Sequence, residues 1–270
     1  MTLAASATMA ARFTPSTWAQ AAGSNDAVRV AVIGLNDKGA SHVNQLLNLA
    51  GVRVVALCDV DPRILAREVE KLKAQQISVF AHTDARRIFE RDDVDAVVIA
   101  TSNHWHALLT VWACQAGKDV YVEKPVSRTI WEGRKMVEAA GKYGRIVQSG
   151  TQFRSDTGWP EAIAWLRAGN LGKIRCIHTI CYKLRESIGH RLPWYPDWLD
   201  YDLYCGPTPM VPLKRERLEY DWHWDWNTGN GELGNNGVHV IDIARRITGQ
   251  NGLPARVTSV GGHFGVDDVA

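Results

Sequence analysis

Along the first half of the chain, short unbroken apolar runs alternate with longer amphipathic stretches. Val28–Ile33, Val52–Cys58 and Ala96–Ala100 are apolar apart from Arg29 and Arg53. Strands covered on both faces read this way. Between and after these runs, the spacing predicts helices over Lys38–Leu49, Pro62–Ala74, Trp105–Ala116 and Thr129–Tyr143. Gly117 and Gly144 close the last two. Further strands are predicted near Val79, over Asp119–Val122 and over Ile146–Ser149, and Asp84 caps a short helix to Glu90. Regular strand–helix alternation predicts a doubly wound parallel sheet. Ligands bind such sheets beyond the carboxyl ends of the strands. The residues just after each strand therefore carry most of the information.

From Gly150 onward the pattern changes. Pro160 opens a helix to Ala168, and Gly169-Asn170 stops it. Ile174–Leu184 alternates partially and predicts a long strand, with Cys176 and Cys181 on opposite faces. A loop rich in Pro, Trp, Tyr and Asp runs from Arg185 to Tyr220, and loops of that length usually serve function. A helix is expected over Gly237–Thr248 and a strand over Val257–Val260. Two strands bury a hydrophobic face poorly. The reading is of a second, α+β domain whose open sheet is truncated at the C-terminus or completed by a partner. The expected organisation is 1–26 as an export-signal remnant or disordered extension, 27–150 as the dinucleotide-binding domain, and 151–270 as an incomplete substrate domain.

Composition narrows the field. The 270 residues include 31 basic and 29 acidic side chains, a net +2, so no strong field points to nucleic acid or a membrane surface. No segment has the length and polarity of a membrane span. The five cysteines show no zinc spacing and no disulfide framework. Cys58 and Cys114 sit in apolar runs and read as buried thiols. Met1 to Ala22 is rich in Ala, Ser and Thr, and Ala19-Gln20-Ala21 resembles a signal-peptidase site, though no basic region precedes it. Export to the periplasm is the expectation; otherwise the protein is cytoplasmic.

The first strand runs into Gly34-Leu-Asn36-Asp-Lys-Gly39, and the second ends at Asp59. This is the layout of a dinucleotide-binding unit. Gly34 permits the tight turn, and the following helix N-terminus offers N–H groups and partial positive charge to a pyrophosphate. Asn36 stands where the second glycine usually lies, and tolerates left-handed backbone angles. Asp59 is placed to accept from ribose hydroxyls and to repel a 2′-phosphate, which favours NAD over NADP. Val120-Tyr-Val-Glu123-Lys124-Pro125 ends a strand at the ligand-binding rim, where a lysine can hydrogen-bond a substrate hydroxyl and lower its pKa. Gly231-Glu-Leu-Gly234-Asn235-Asn236-Gly237-Val238-His239 enters a helix. Asp242 lies three residues on, on the same face, where it can orient the His239 imidazole. Trp222-His223-Trp224-Asp225-Trp226-Asn227 offers rings for the C–H faces of a sugar and polar groups for its hydroxyls. His223 is a candidate second acid or base. No third ligand stands at a spacing that would complete a zinc site with His223 and His239.

From Val28 onward the chain resembles the glucose–fructose oxidoreductase and inositol dehydrogenase superfamily (Gfo/Idh/MocA). The carriers are Val30-Ala-Val-Ile-Gly34, Ala100-Thr101-Ser-Asn103-His-Trp-His106, Glu123-Lys124-Pro125 and Gly237-Val-His239-x-x-Asp242. The resemblance implies a Rossmann domain followed by an α/β domain on a large open sheet, and oxidation or reduction of sugars and polyols with tightly held NAD(P). It implies that Lys124 is the catalytic lysine and His239 the catalytic histidine. It places Thr101, Asn103 and His106 in the segment lining the cofactor, with Glu123 facing it. The family's sheet, often used for oligomer contacts, implies a homo-oligomer for the full-length protein. Many members carry aspartate where this chain has Asn235, and asparagine orients hydroxyls without accepting a proton. Three functions follow as expectations: an NAD-dependent sugar oxidoreductase; a redox-neutral glycosidase or lyase that oxidises transiently and eliminates; and a non-catalytic NAD- or sugar-binding protein, weakened here by retention of both lysine and histidine.

Overall fold

A computed structural model describes residues 27–183, 185–250 and 252–261. The signal-like stretch Met1 to Ala22 lies outside the described residues. Six strands occur among the described residues: β1 Val28–Ile33, β2 Val52–Cys58, β3 Phe80–His82, β4 Ala96–Ile99, β5 Asp119–Glu123 and β6 Val147–Gly150. They form one parallel sheet in the order β3-β2-β1-β4-β5-β6. The chain starts in the middle, winds outward one way, then returns and winds the other way. The order therefore reverses between β1 and β4, which is where a ligand crevice opens in such sheets.

The helices are α1 Lys38–Leu47, α2 Pro62–Ala74, α3 Arg86–Phe89, α4 Asn103–Gln115 and α5 Ile130–Tyr143, followed by α6 Gly158–Arg167, α7 Tyr201–Cys205 and α8 Val238–Thr248. Val43 of α1 and Ile64, Leu65 and Leu72 of α2 cover one face of the sheet with Val30, Val32, Val54 and Leu57. Leu109 and Ala113 of α4 and Met136 and Ala139 of α5 cover the other with Ala31, Ile33, Val97 and Ile99. Central strands buried on both faces explain their continuous apolar reading. Helix starts follow local chemistry. Asp61 accepts from Arg63 N ahead of Pro62, and Thr129 and Glu132 form a reciprocal capping box.

The second half departs from expectation. Among the described residues, the strands predicted over Ile174–Leu184 and Val257–Val260 are not formed. Described residues there carry no ladder, and Tyr182, Val257 and Val260 are largely exposed. Alternating apolar residues make a half-buried strand only where a neighbour takes their N–H and C=O groups, and among the described residues none does. Cys176 and Cys181 are consequently exposed thiols rather than opposite faces of a strand, while Cys58, Cys114 and Cys205 are buried. A single antiparallel bridge, Trp194–Leu213, is the only pairing described outside the main sheet. A small core of Tyr204, Cys205, Leu213 and Leu218, flanked by Trp194 and Trp198, packs this region against Val60. No described helix is long and apolar enough to cross a membrane.

Candidate active site

The crevice is built around close backbone approach. Gly34 has φ 84, and a Cβ there would lie 2.6 Å from the Ala100 carbonyl oxygen. The ends of β1 and β4 therefore meet only because position 34 is bare. A Cβ at Gly39 would fall 1.8 Å from the Gly34 carbonyl oxygen, so α1 seats directly on the turn. Asp37, with φ 43, precedes α1 without capping it through its side chain. The side chain of Asn36 donates to Glu219 Oε2 at 2.9 Å. Asp59 accepts from Leu35 N at 2.7 Å and from Asp61 N at 2.9 Å, so it braces the glycine turn as well as facing the crevice. Burial pushes its carboxyl up to about 6, against those two backbone hydrogen bonds. A cradle that a Cβ would fill, an uncapped helix start and an acid at the second strand's end fit a dinucleotide.

The crevice continues as a cavity of about 360 Å³, within the range of roughly 300–1,000 Å³ usual for ligand sites. Its far wall carries Lys124, Gln152, Trp222, His223 and Asn235. Glu123 ends β5, where its Oε1 lies 2.8 Å from His42 Nε2 of α1 and its Oε2 accepts from Lys124 N at 3.1 Å. Burial would raise the Glu123 carboxyl, but His42 and the Lys124 amide hold it below the ordinary value. Lys124 Nζ donates to both the backbone oxygen and Oδ1 of Asn235, each at 3.0 Å. Asn235 sits in a π-helical turn, Leu233–Gly237, immediately before α8. Such turns are uncommon and concentrate at functional sites. The lysine is thus anchored by neutral oxygens. Burial lowers its pKa, with Glu123 and Glu232 acting in the opposite sense. Glu232 ties the turn to the preceding segment through Arg185 at 3.0 Å, Cys181 and Asn236. Against the effect of burial, these partners hold its carboxyl down to about 2.

Several expected site residues lie elsewhere. Asp242 does not orient His239: it pairs with Arg154 at 2.5 Å, because the guanidinium offers two charged donors in a matching fork. His239 is buried, its Nε2 3.3 Å from the Gln152 amide nitrogen and its Nδ1 without a partner among the described residues. Asn103 begins α4 and donates to Asn230 at 2.8 Å, and it is not on the cavity wall. His106 is fully buried between the carbonyls of Pro125 (2.8 Å) and Thr101 (3.0 Å), so it fixes the two loops rather than touching a ligand. Burial lowers its pKa, against those carbonyls. Trp224 stacks beneath Arg185, away from the cavity, while Thr101, Trp222 and His223 line it. Gln152 and Glu219 were not predicted. Gln152 follows β6 and was accessible to the rule that residues after strands matter. Glu219 reaches Asn36 from 183 positions away, and nothing local marks it. Among the described residues no cluster of metal-ligating side chains occurs.

Residues 28–151 match an oxidoreductase family with an NAD-binding Rossmann fold, Gfo/Idh/MocA. A glycosyl hydrolase family 109 protein from Shewanella pealeana is 32% identical over 185 residues, which are 64% of this chain and 40% of that protein. An alpha-N-acetylgalactosaminidase from Shewanella oneidensis is 35% identical over 120 residues, 43% of this chain and 26% of that protein. Among solved structures, GenD2 from gentamicin A biosynthesis, in complex with NAD, matches with a TM-score of 0.60 at 19% identity. That match covers 83% of this chain and 54% of GenD2, and it shows likeness of fold. The chain spans from about a quarter to two-fifths of the length of these curated relatives.

Proposed function

We propose that this chain, which belongs to the Gfo/Idh/MocA oxidoreductase family, transfers a hydride between a sugar or polyol hydroxyl carbon and NAD. The observation that carries this reading is the half-buried Lys124 ammonium on the cavity wall, held by two neutral oxygens of Asn235. A bound nicotinamide supplies the hydride acceptor. Lys124 faces the reacting hydroxyl and stabilises negative charge on its oxygen, worth more in a water-poor cavity than in solution. A neutral imidazole beside the lysine takes the proton; the glycine-rich motif nominates His239, and the cavity wall carries His223. Asn235 and Trp222 orient the sugar. Asp59, with Glu219 nearby, favours ribose hydroxyls over a 2′-phosphate and hence NAD over NADP. A second reading, redox-neutral cleavage of a glycoside through transient oxidation and elimination, is favoured by the glycosyl hydrolases among the relatives.

Incubation with NAD and a panel of sugars and glycosides, read by NADH fluorescence and mass spectrometry, tests both readings. Stoichiometric NADH supports net oxidation, and cleavage without NADH supports the second reading. Lys124→Ala is expected to lower turnover on the order of 10²–10⁴-fold with NAD affinity nearly unchanged. Full activity in that variant refutes the assignment.

A further inference from the structure

Two histidines stand near Lys124, and their surroundings differ in a way that decides which one is free to act. His223 lines the cavity. Its ring stacks on Trp222 with centroids 3.6 Å apart and planes 18° apart. Its Nδ1 lies 2.6 Å from the Tyr220 carbonyl oxygen, which also accepts from His223 N at 3.2 Å. A carbonyl only accepts, so Nδ1 carries the hydrogen and Nε2 keeps its lone pair. Among the described residues, no hydrogen bond engages that Nε2. Tyr220 has φ 63, a conformation that non-glycine residues seldom adopt. Strained residues of this kind cluster at functional sites.

His239 is arranged in the opposite way. It is 5% exposed and absent from the cavity wall. The Phe153 ring lies 4.8 Å from it. Its Nε2 meets the Gln152 amide at 3.3 Å, and either orientation of that amide occupies this nitrogen. Nδ1 is buried without a partner. No lone pair of His239 is left facing a substrate.

We propose that His223, rather than His239, takes the proton of the reacting secondary hydroxyl, with His239 and Gln152 serving to position the site floor. The proposal rests on the hydride-transfer reading. The hydroxyl O–H bond breaks and its proton goes to His223 Nε2. The C–H electron pair leaves as hydride to NAD⁺, the carbonyl C=O forms, and the products are a ketone, NADH and an imidazolium that returns its proton to water. The charged groups facing His223 are Lys124, Arg185 and Glu232. Burial, Lys124 and Arg185 favour the neutral ring, while the Tyr220 carbonyl and Glu232 oppose them.

The test uses the full chain with NAD⁺, free hexoses and myo-inositol as probes, and two variants, His223→Asn and His239→Asn. The asparagine amide keeps the bond to the Tyr220 carbonyl while removing Nε2, so His223→Asn retains the local fold. It is expected to lower kcat on the order of 10²–10⁴-fold and to abolish the acid limb of the pH profile. His239→Asn is expected to leave that limb in place. Histidine ¹⁵N spectra of the chain are expected to show His223 neutral at pH 7, protonated at Nδ1. Loss of the acid limb in His239→Asn but not in His223→Asn overturns this assignment and leaves the hydride reading standing. So does a spectrum with the proton on Nε2. Absence of NADH from every probe in the unaltered chain removes the hydride reading itself, and this assignment with it.

Discussion

Three glycines separate two physical effects that a sequence motif merges. Gly117 has φ 74 and open space where a Cβ would stand, so Gly117→Ala adds backbone strain alone, about 1–2 kcal/mol. Gly39 has no positive φ, but its Cβ would fall 1.8 Å from the Gly34 carbonyl oxygen. Gly39→Ala therefore forces α1 off the turn, an overpacking cost of about 3 kcal/mol or more. Gly34 combines φ 84 with a Cβ 2.6 Å from Ala100 O and 2.8 Å from Thr101 N, both backbone atoms that cannot swing aside. Gly34→Ala is expected to cost roughly 2–5 kcal/mol and to spread β1 from β4, weakening NAD binding. Urea denaturation followed by tryptophan fluorescence gives the stability of each variant, and NAD titration gives the affinity. The expected result is that Gly117→Ala is the mildest and leaves NAD affinity unchanged, whereas the other two lose both. If Gly39→Ala is neutral, or Gly117→Ala is as damaging as Gly34→Ala, the close-approach argument is wrong.

Asp59 titrates in the folded chain near 6, above its ordinary 3.8, so the folded state holds that proton more tightly than the unfolded chain. Its stabilising contribution, about 3 kcal/mol, is complete below about pH 4 and is lost as pH rises through about 6. Asp59→Asn should flatten the stability profile across that window, and an unchanged profile refutes the shift. Under the proposed role of Asp59 toward ribose, NAD affinity is expected to move the other way, falling as pH drops below about 6 and the carboxylate is protonated. Asn235→Asp places an opposite charge beside Lys124 and should raise the lysine pKa by about one pH unit or more, displacing the alkaline limb of activity upward; an unmoved limb excludes direct contact between the two. Asp242→Asn breaks a surface pair with Arg154 and should cost within about 1 kcal/mol, with turnover changed only a few-fold. A hundredfold loss would restore Asp242 as the support of His239.

The Rossmann half was legible because each level of the sequence agreed with the next. Continuous apolar runs such as Val52–Cys58 coincide with buried parallel strands, and caps such as Thr129 and Asp61 stand where their side chains bond backbone N–H groups. The second half was not, because its signals depend on partners far away in the chain. Ile174–Leu184 has a strand's alternation but, among the described residues, no ladder to join. The i, i+3 relation of His239 and Asp242 was read correctly as a shared helical face. Yet Arg154 from another element claims the carboxylate, and spacing along one helix cannot reveal a competitor. Asn103 and His106 were carried over from a motif whose backbone lines the crevice while those two side chains turn inward. Lys124, Asn235 and His223 were found because each immediately follows a strand or sits in a glycine- or aromatic-rich turn.

The wide turn at Leu233–Gly237 hands Lys124 a main-chain oxygen as well as a side-chain one. A main-chain acceptor survives every exchange of residue 235 that preserves the local path. Drift at this position can therefore retune the charge beside the lysine without setting it adrift. Only a change in the number of residues in the turn would do that, so insertions and deletions are the lesions to which this corner of the protein is vulnerable.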